Sequence, residues 1–149
     1  MSLTREGDRS RGFSRQDKKA GREPVPAEVD FVVAKVVNAA FQVHSRLGPG
    51  LLESVYEVCL VHELTKGGLR VERQVVLPVI YDDIRLDAGL RIDAVVEGCI
   101  LIELKAVETI LPVHRAQLLT YLKLSGHRLG LLINFNVPVI KDGIVRMVL

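Results

Sequence analysis

The sequence has no apolar run near the roughly 20 residues that a membrane-spanning helix needs, which argues against a membrane partner. Its N-terminus is charged from Arg5 onward, with no apolar signal segment behind it, so a cytoplasmic setting is expected. Cysteine is scarce. Cys59 and Cys99 are the whole complement, too few for a disulfide framework or a four-cysteine zinc site. Both are expected to be reduced, with Cys59 buried on a helix. An excess of one charge is also missing from most of the chain. Residues 1–24 carry seven Lys or Arg against four Asp or Glu, the rest 13 against 14, so the formal net charge of +2 comes from the first 24 residues. A nucleic-acid partner therefore cannot be argued from overall charge, although a basic leader adds salt-sensitive phosphate contacts.

What is present suits one hydrophobic core: 149 residues at 48% apolar composition fill one domain and are too few for two. Pro24 and Pro26 mark a boundary between a basic, flexible leader over residues 1–24 and a domain over 25–149. Val29, Val32, Val33, Val36, Val37, Ala40, Val43 and Leu47 then recur at helical spacing and stop at Gly48-Pro49-Gly50. A second helix is expected over Leu51 to Lys66, with Leu52, Val55, Tyr56, Cys59, Leu60 and Leu64 on its apolar face and Gly67-Gly68 as its stop. From Leu69 the period changes to two, through Val71, Val75, Leu77, Val79 and Tyr81, and Pro78 suggests that this strand has an edge side free of ladder bonds at that point. Asp82-Asp83 is a turn, and Leu90–Val96 and Cys99–Ala106 read as a hairpin. A third helix starts near Pro112 and runs to about Ser125 before Gly126. Leu129–Phe135 and Ile144–Leu149 finish as strands around a Lys141-Asp142-Gly143 turn. The order ααβββαββ predicts an α/β fold, a mixed β-sheet flanked by helices.

Within Ile100–Ala106, alternation puts Leu101, Glu103 and Lys105 on one face. Glu103 and Lys105 would have Cα atoms roughly 6.6 to 6.8 Å apart, a spacing at which a carboxylate holds a metal while an ammonium reaches a neighbouring water or phosphate. Charged residues in so apolar a strand need partners or a function. Asp93, in the preceding strand and among core-like residues, supplies a second carboxylate. Mg²⁺ takes one or two carboxylates and keeps waters, so Asp93 and Glu103, with the Leu104 carbonyl, form a candidate site for Mg²⁺ or Mn²⁺. Lys105 is a candidate to orient the attacking water or to stabilise charge on phosphorus.

The site needs Asp93 and Glu103 on one sheet face. A two-residue Glu97-Gly98 loop would pair Asp93 with Ile102 and part them, so an odd loop is expected, with Val96, Glu97 and Gly98 in it and Asp93 opposite Leu101.

Asp93, nine intervening residues and then Glu103-Leu104-Lys105 resembles the core of the PD-(D/E)xK nuclease superfamily, with Ile92 where the name has Pro. Gly50-Leu51-Leu52-Glu53-Ser54-Val55-Tyr56 resembles the signature of the GxxExxY proteins, and Gln117-Leu118-Leu119-Thr120-Tyr121 is similar to the Gln-x-x-x-Tyr motif of RecB-type nucleases. The resemblance runs from about Val29 to Leu149. It implies a restriction-endonuclease-like core and a Mg²⁺-dependent nuclease acting on DNA rather than RNA. Glu53 then corresponds to an acidic residue that approaches the metal from a helix, and Gln117 and Tyr121 to site residues. His114 can share their helical stripe, whereas Tyr56 reads as packing. The alternative is a catalytically inactive nucleic-acid-binding or assembly module of the same fold. With little room for a separate recognition domain, a homodimer or an accessory protein is a further expected partner.

Overall fold

A computed structural model describes residues 23–149, so the leader expected over 1–24 lies outside the described residues except at its last two positions. The elements run α1 (Ala27–Leu47), α2 (Glu53–Lys66), β1 (Val71–Tyr81), β2 (Ile84–Val96), β3 (Ile100–Lys105), α3 (Pro112–Ser125), β4 (Leu129–Asn134) and β5 (Ile144–Val148), with a 3-10 turn at Ile140–Gly143 before β5. This is the expected order. The strands form one sheet in the order β1-β2-β3-β4-β5. Only β3 and β4 are parallel, joined through α3; the other three pairs are antiparallel. The sheet is therefore mixed, with helices on both faces.

Helical spacing in α1 buries Val33, Val36, Ala40 and Val43 on one stripe. His44 extends that stripe and donates from Nε2 to the Val137 carbonyl at 2.7 Å. Gly48, at φ 67°, ends the helix in a conformation open to glycine, with its N–H on the His44 carbonyl. In α2 the buried residues are Tyr56, Leu60 and Leu64. Leu52, 74% exposed, and Val55 do not belong to the buried face expected for them, because Leu52 precedes the first helical turn and Val55 points away from the sheet side that Tyr56 occupies. Cys59 is half-buried rather than buried, and both cysteines are free.

The α1–α2 layer packs on Ala94, Val96, Ile100, Ile102, Leu104, Leu131 and Phe135. On the opposite face Leu118, Tyr121 and Leu122 of α3 pack on Val95, Leu101 and Leu132. Gly130 lets α3 approach, since a Cβ there would lie 2.8 Å from Leu118 Cδ1. These two cores sandwich β3 and β4, whose residues are almost all buried.

β1 is an edge strand, as Pro78 suggests, and the register slips between Leu77 and Val79 around that proline. β2 is longer than its Leu90–Val96 reading. It starts at Ile84, directly after the Asp82-Asp83 turn, and its first half pairs only with β1, leaving Ile84 and Leu86 exposed. Ile84, Leu86, Ala88, Leu90 and Ile92 alternate with polar residues and a glycine, a period of two that extends the strand back to the turn and that the Leu90 start leaves out.

The β2–β3 loop has three residues, the odd length that the site requires, but they are Glu97, Gly98 and Cys99 rather than Val96, Glu97 and Gly98. Val96 is fully buried and pairs with Ile100, which keeps it in the ladder. Glu97 and Gly98 take φ 52° and 62° to make the turn. Glu97 is pinned there by two bonds to Arg70: its carboxylate accepts the Arg70 N–H at 2.6 Å and its own N–H reaches the Arg70 carbonyl at 2.8 Å.

Candidate active site

β3 supplies the centre of the site. Leu101 anchors one face of the strand in the core under α3, and alternation carries Glu103 and Lys105 to that face. Glu103 is only 4% exposed. Its Oε2 lies 3.7 Å from Lys105 Nζ, and its buried Oε1 has no hydrogen-bond partner. Lys105 Nζ also donates to Gln117 Oε1 at 3.2 Å, and Gln117 Nε2 donates to the Tyr121 hydroxyl at 2.9 Å. Gln117 and Tyr121 stand four residues apart in α3, on one helical face, so the chain Lys105–Gln117–Tyr121 links strand to helix.

Asp93 enters from β2, where the ladder to β3 stops at Ala94 and Ile102. One further step in that register sets Asp93 across from Glu103. The Asp93 Oδ2 accepts the Leu104 N–H at 2.8 Å, taking the place of a backbone partner as the strands part. The Lys105 carbonyl faces β4, where it accepts the Phe135 N–H. Leu104, one residue earlier, therefore turns its N–H and its carbonyl to the Asp93 side. Buried Asn134 fixes the exit from β3, with Oδ1 accepting the Val107 N–H at 3.1 Å and Nδ2 donating to the Val107 carbonyl at 2.8 Å.

The electrostatics follow from this crowding. Burial pushes the Glu103 carboxyl up to about 8, and nearby Asp93 adds to the rise while Lys105 opposes it. Asp93 is also raised, chiefly by burial, against the lowering effect of the Leu104 N–H. Glu53, the first residue of α2, is raised by burial and by Asp93 and lowered by Lys105. The helix residue thus lies within the field of the strand pair. Tyr121 is raised as well, by burial first and then by Glu103.

Asp93, Glu103, Leu104 and Lys105 meet, Gln117 and Tyr121 join them through Lys105, and Glu53 couples to them by charge. His114 does not join this stripe. Its Nδ1 accepts the Leu111 N–H at 2.9 Å, so the ring caps the start of α3. Tyr56 is a packing residue that also holds a loop. Its ring stacks on Phe135 at 4.6 Å, and its hydroxyl donates to the Gly48 carbonyl and accepts the Leu51 N–H. Those bonds staple the loop from which Glu53 projects.

Two neighbours of the site escaped sequence reasoning. Glu57 lies one helical turn after Glu53 and raises the Asp93 pKa, and a four-residue spacing of carboxylates was the available signal. Gln74, in β1 opposite Asp93, has φ 50°, and nothing in the sequence marks it.

Among the described residues no group of three His, Cys, Asp or Glu side chains is arranged to hold a metal ion alone. A small divalent cation needs less. Two carboxylates and a strand carbonyl are hard oxygen donors of the kind Mg²⁺ and Mn²⁺ prefer, with waters completing the shell. The orphaned Glu103 Oε1 is the donor that such an ion would satisfy. The residues fit the group.

Comparison with curated proteins and with solved structures returned no match. The sequence profile of the PD-(D/E)XK nuclease superfamily matches residues 30–147, which span every element from α1 to β5. On that match, which covers most of its length, the chain belongs to the PD-(D/E)XK nuclease superfamily.

Proposed function

We propose that this chain is a metal-dependent nuclease that hydrolyses phosphodiester bonds in DNA, of the GxxExxY kind, with Asp93, Glu103 and the Leu104 carbonyl holding Mg²⁺ or Mn²⁺. The observation that carries the reading is the buried, unpartnered Glu103 Oε1 beside Asp93 and Lys105. A buried carboxyl oxygen left without a hydrogen-bond partner costs about 1 to 3 kcal/mol, a cost that a bound cation would remove.

A cation held by Asp93, Glu103 and the Leu104 carbonyl would polarise the scissile phosphate and lower the pKa of water at the site. Asp93 and Glu103 orient the donor set, and the Leu104 N–H holds the Asp93 carboxylate in place for it. Lys105 has three donors. One goes to Gln117 and one faces Glu103, which leaves the third for the attacking water or a phosphate oxygen. Gln117, fixed by Tyr121, keeps the ammonium from swinging back toward solvent. Glu53 adds negative charge from the helix side and helps to hold the hydrated cation. The basic leader supplies sequence-independent affinity for the phosphate backbone. A second copy or an accessory protein would widen the recognition surface. The two free cysteines accord with a cytoplasmic setting, and no described helix is long and apolar enough to cross a membrane.

The test is cleavage of single-stranded, duplex, flap and branched DNA, and of RNA, with Mg²⁺ and with Mn²⁺, beside the Asp93→Ala variant. Metal-dependent DNA cleavage lost in the variant supports the reading. Salt-dependent binding without cleavage on any substrate would select the inactive binding module instead.

A further inference from the structure

Gln74 is one of three described non-glycine residues with positive φ, and the other two, Asp82 and Glu97, make the hairpin turns. Gln74 makes no turn. It lies inside β1, between the paired positions Arg73 with Ala94 and Val75 with Ile92, so it stands directly across from Asp93 while dropping out of the ladder. A glutamine at φ 50° inside a strand is a costly backbone state, and such states persist where the surroundings enforce them, often at functional sites. Here the surroundings are visible. Gln74 Nε2 donates a hydrogen bond to Glu57 Oε1 on α2, and the Arg73 guanidinium approaches Glu57 Oε2 at 3.5 Å. Anchored on Glu57, the Gln74 carboxamide is held at the point of β1 that lies across from Asp93. A primary amide has two N–H donors, enough for both carboxylates.

We infer that Gln74, braced by Glu57, is a positioning residue for the cation site: its carboxamide ties α2 to Asp93 and fixes that carboxylate from the β1 side. The inference rests on the nuclease reading above. Leu104 grips one Asp93 oxygen from β3, and the second Gln74 N–H, coming from the strand on the other side, would limit rotation of the same carboxylate. The arrangement also accounts for the strain. The left-handed backbone turns the Gln74 side chain out of the strand's alternation, toward Glu57 and Asp93, and Glu57 secures it there. Groups that orient metal-binding carboxylates typically contribute about 10- to 100-fold in metal affinity or activity.

Gln74→Gly separates the side chain from the backbone, because glycine takes positive φ without steric cost. If Gln74 served only the shape of the strand, glycine would do as well or better. The expected result is a melting temperature at or above that of the wild type, together with a Mg²⁺ dissociation constant about 10-fold or more weaker by titration calorimetry, and slower single-turnover cleavage. Adding Glu57→Ala to Gln74→Gly should weaken Mg²⁺ binding little further, since the two side chains act as one brace. A Gln74→Gly protein with wild-type Mg²⁺ affinity and cleavage would overturn the inference, and so would multiplicative losses in the double variant. A wild-type protein that neither binds Mg²⁺ nor cleaves would remove the nuclease reading itself, a result distinct from those two.

Discussion

Asp93 Oδ2 lies 2.8 Å from the backbone nitrogen of Leu104 and accepts its N–H, so a side chain stands where the β2–β3 ladder would have supplied a carbonyl. The same residue thus closes the strand pair and faces Glu103. Substitution can separate these two roles.

Asp93→Asn keeps an oxygen acceptor for Leu104 and removes a charge that opposes Glu103, Glu53 and Glu57. In chelator this variant should unfold at or above the wild-type midpoint. Asp93→Ala leaves the Leu104 N–H unpartnered, a loss of about 1 to 3 kcal/mol that relief of repulsion partly offsets, so it should be the less stable of the two. Mg²⁺ at one hundred times its dissociation constant should stabilise the wild type by about 2.7 kcal/mol and both variants much less. Denaturant unfolding with and without Mg²⁺ measures all three. An Asp93→Asn protein destabilised by about 3 to 5 kcal/mol, with no Mg²⁺ effect on any form, would make Asp93 a structural ion-pair partner.

Glu103 gives the metal-free protein a pH dependence of definite sign. Its pKa rises from an ordinary 4.5 to about 8 in the folded state, where burial favours the protonated form. Stability from this group is therefore full below pH 4.5, falls as the unfolded chain loses the proton that the folded chain keeps, and is gone above about pH 8. Asp93 and Glu53 are raised too, and act in the same sense. Melting temperatures from about pH 5 to 9 in chelator should decline for the wild type relative to Glu103→Gln, which removes the titration. Parallel profiles for the two proteins would show that Glu103 does not retain its proton.

Lys105 should affect turnover more than binding. Lys105→Ala is expected to lower single-turnover cleavage by about 10²- to 10³-fold, the range for loss of a donor aimed at developing charge, with Mg²⁺ affinity nearly unchanged. Lys105→Arg should not rescue it, because the planar guanidinium cannot hold the Gln117 and Glu103 contacts and keep a compact charge at the same place. Equal losses in metal affinity and rate would instead place Lys105 in the framework of the site.

The order of elements was legible because each has a clean period or punctuation: the valine stripe of α1, the prolines at 78 and 112, the glycines after each helix. The shared face of Glu103 and Lys105 follows from alternation alone, and burial of Leu101 on that face agrees with it. Register was only half legible. Parity required an odd loop, but the choice of Cys99 over Val96 as its third residue depends on the burial of Val96 and on the Glu97–Arg70 bonds, which are long-range. Gln74 and Glu57 were not legible as a pair, since a positive φ in a strand and a contact between α2 and β1 leave no periodic trace. At His114 the sequence misleads, because its spacing from Gln117 suits a shared stripe while the third position of a helix suits a cap equally well.

The leader is a prediction from charge alone. Deleting residues 1–24 removes seven Lys or Arg and four Asp or Glu, and should weaken DNA affinity chiefly at low salt. Single-turnover cleavage at saturating protein should stay close to that of the full chain. A large fall in that rate would place residues needed for the chemistry in the first 24 positions.

The nuclease reading stands or falls on a cation held by Asp93 and Glu103 that hydrolysis requires. The decisive measurement is single-turnover cleavage of a DNA substrate, with Mg²⁺ and with chelator, for the wild type, Asp93→Asn and Glu103→Gln. The wild type should cleave only with Mg²⁺, and both near-isosteric variants should fall to the level seen in chelator, with all three proteins folded. Cleavage by either variant at the wild-type rate, or cleavage by the wild type that persists in chelator, would contradict it.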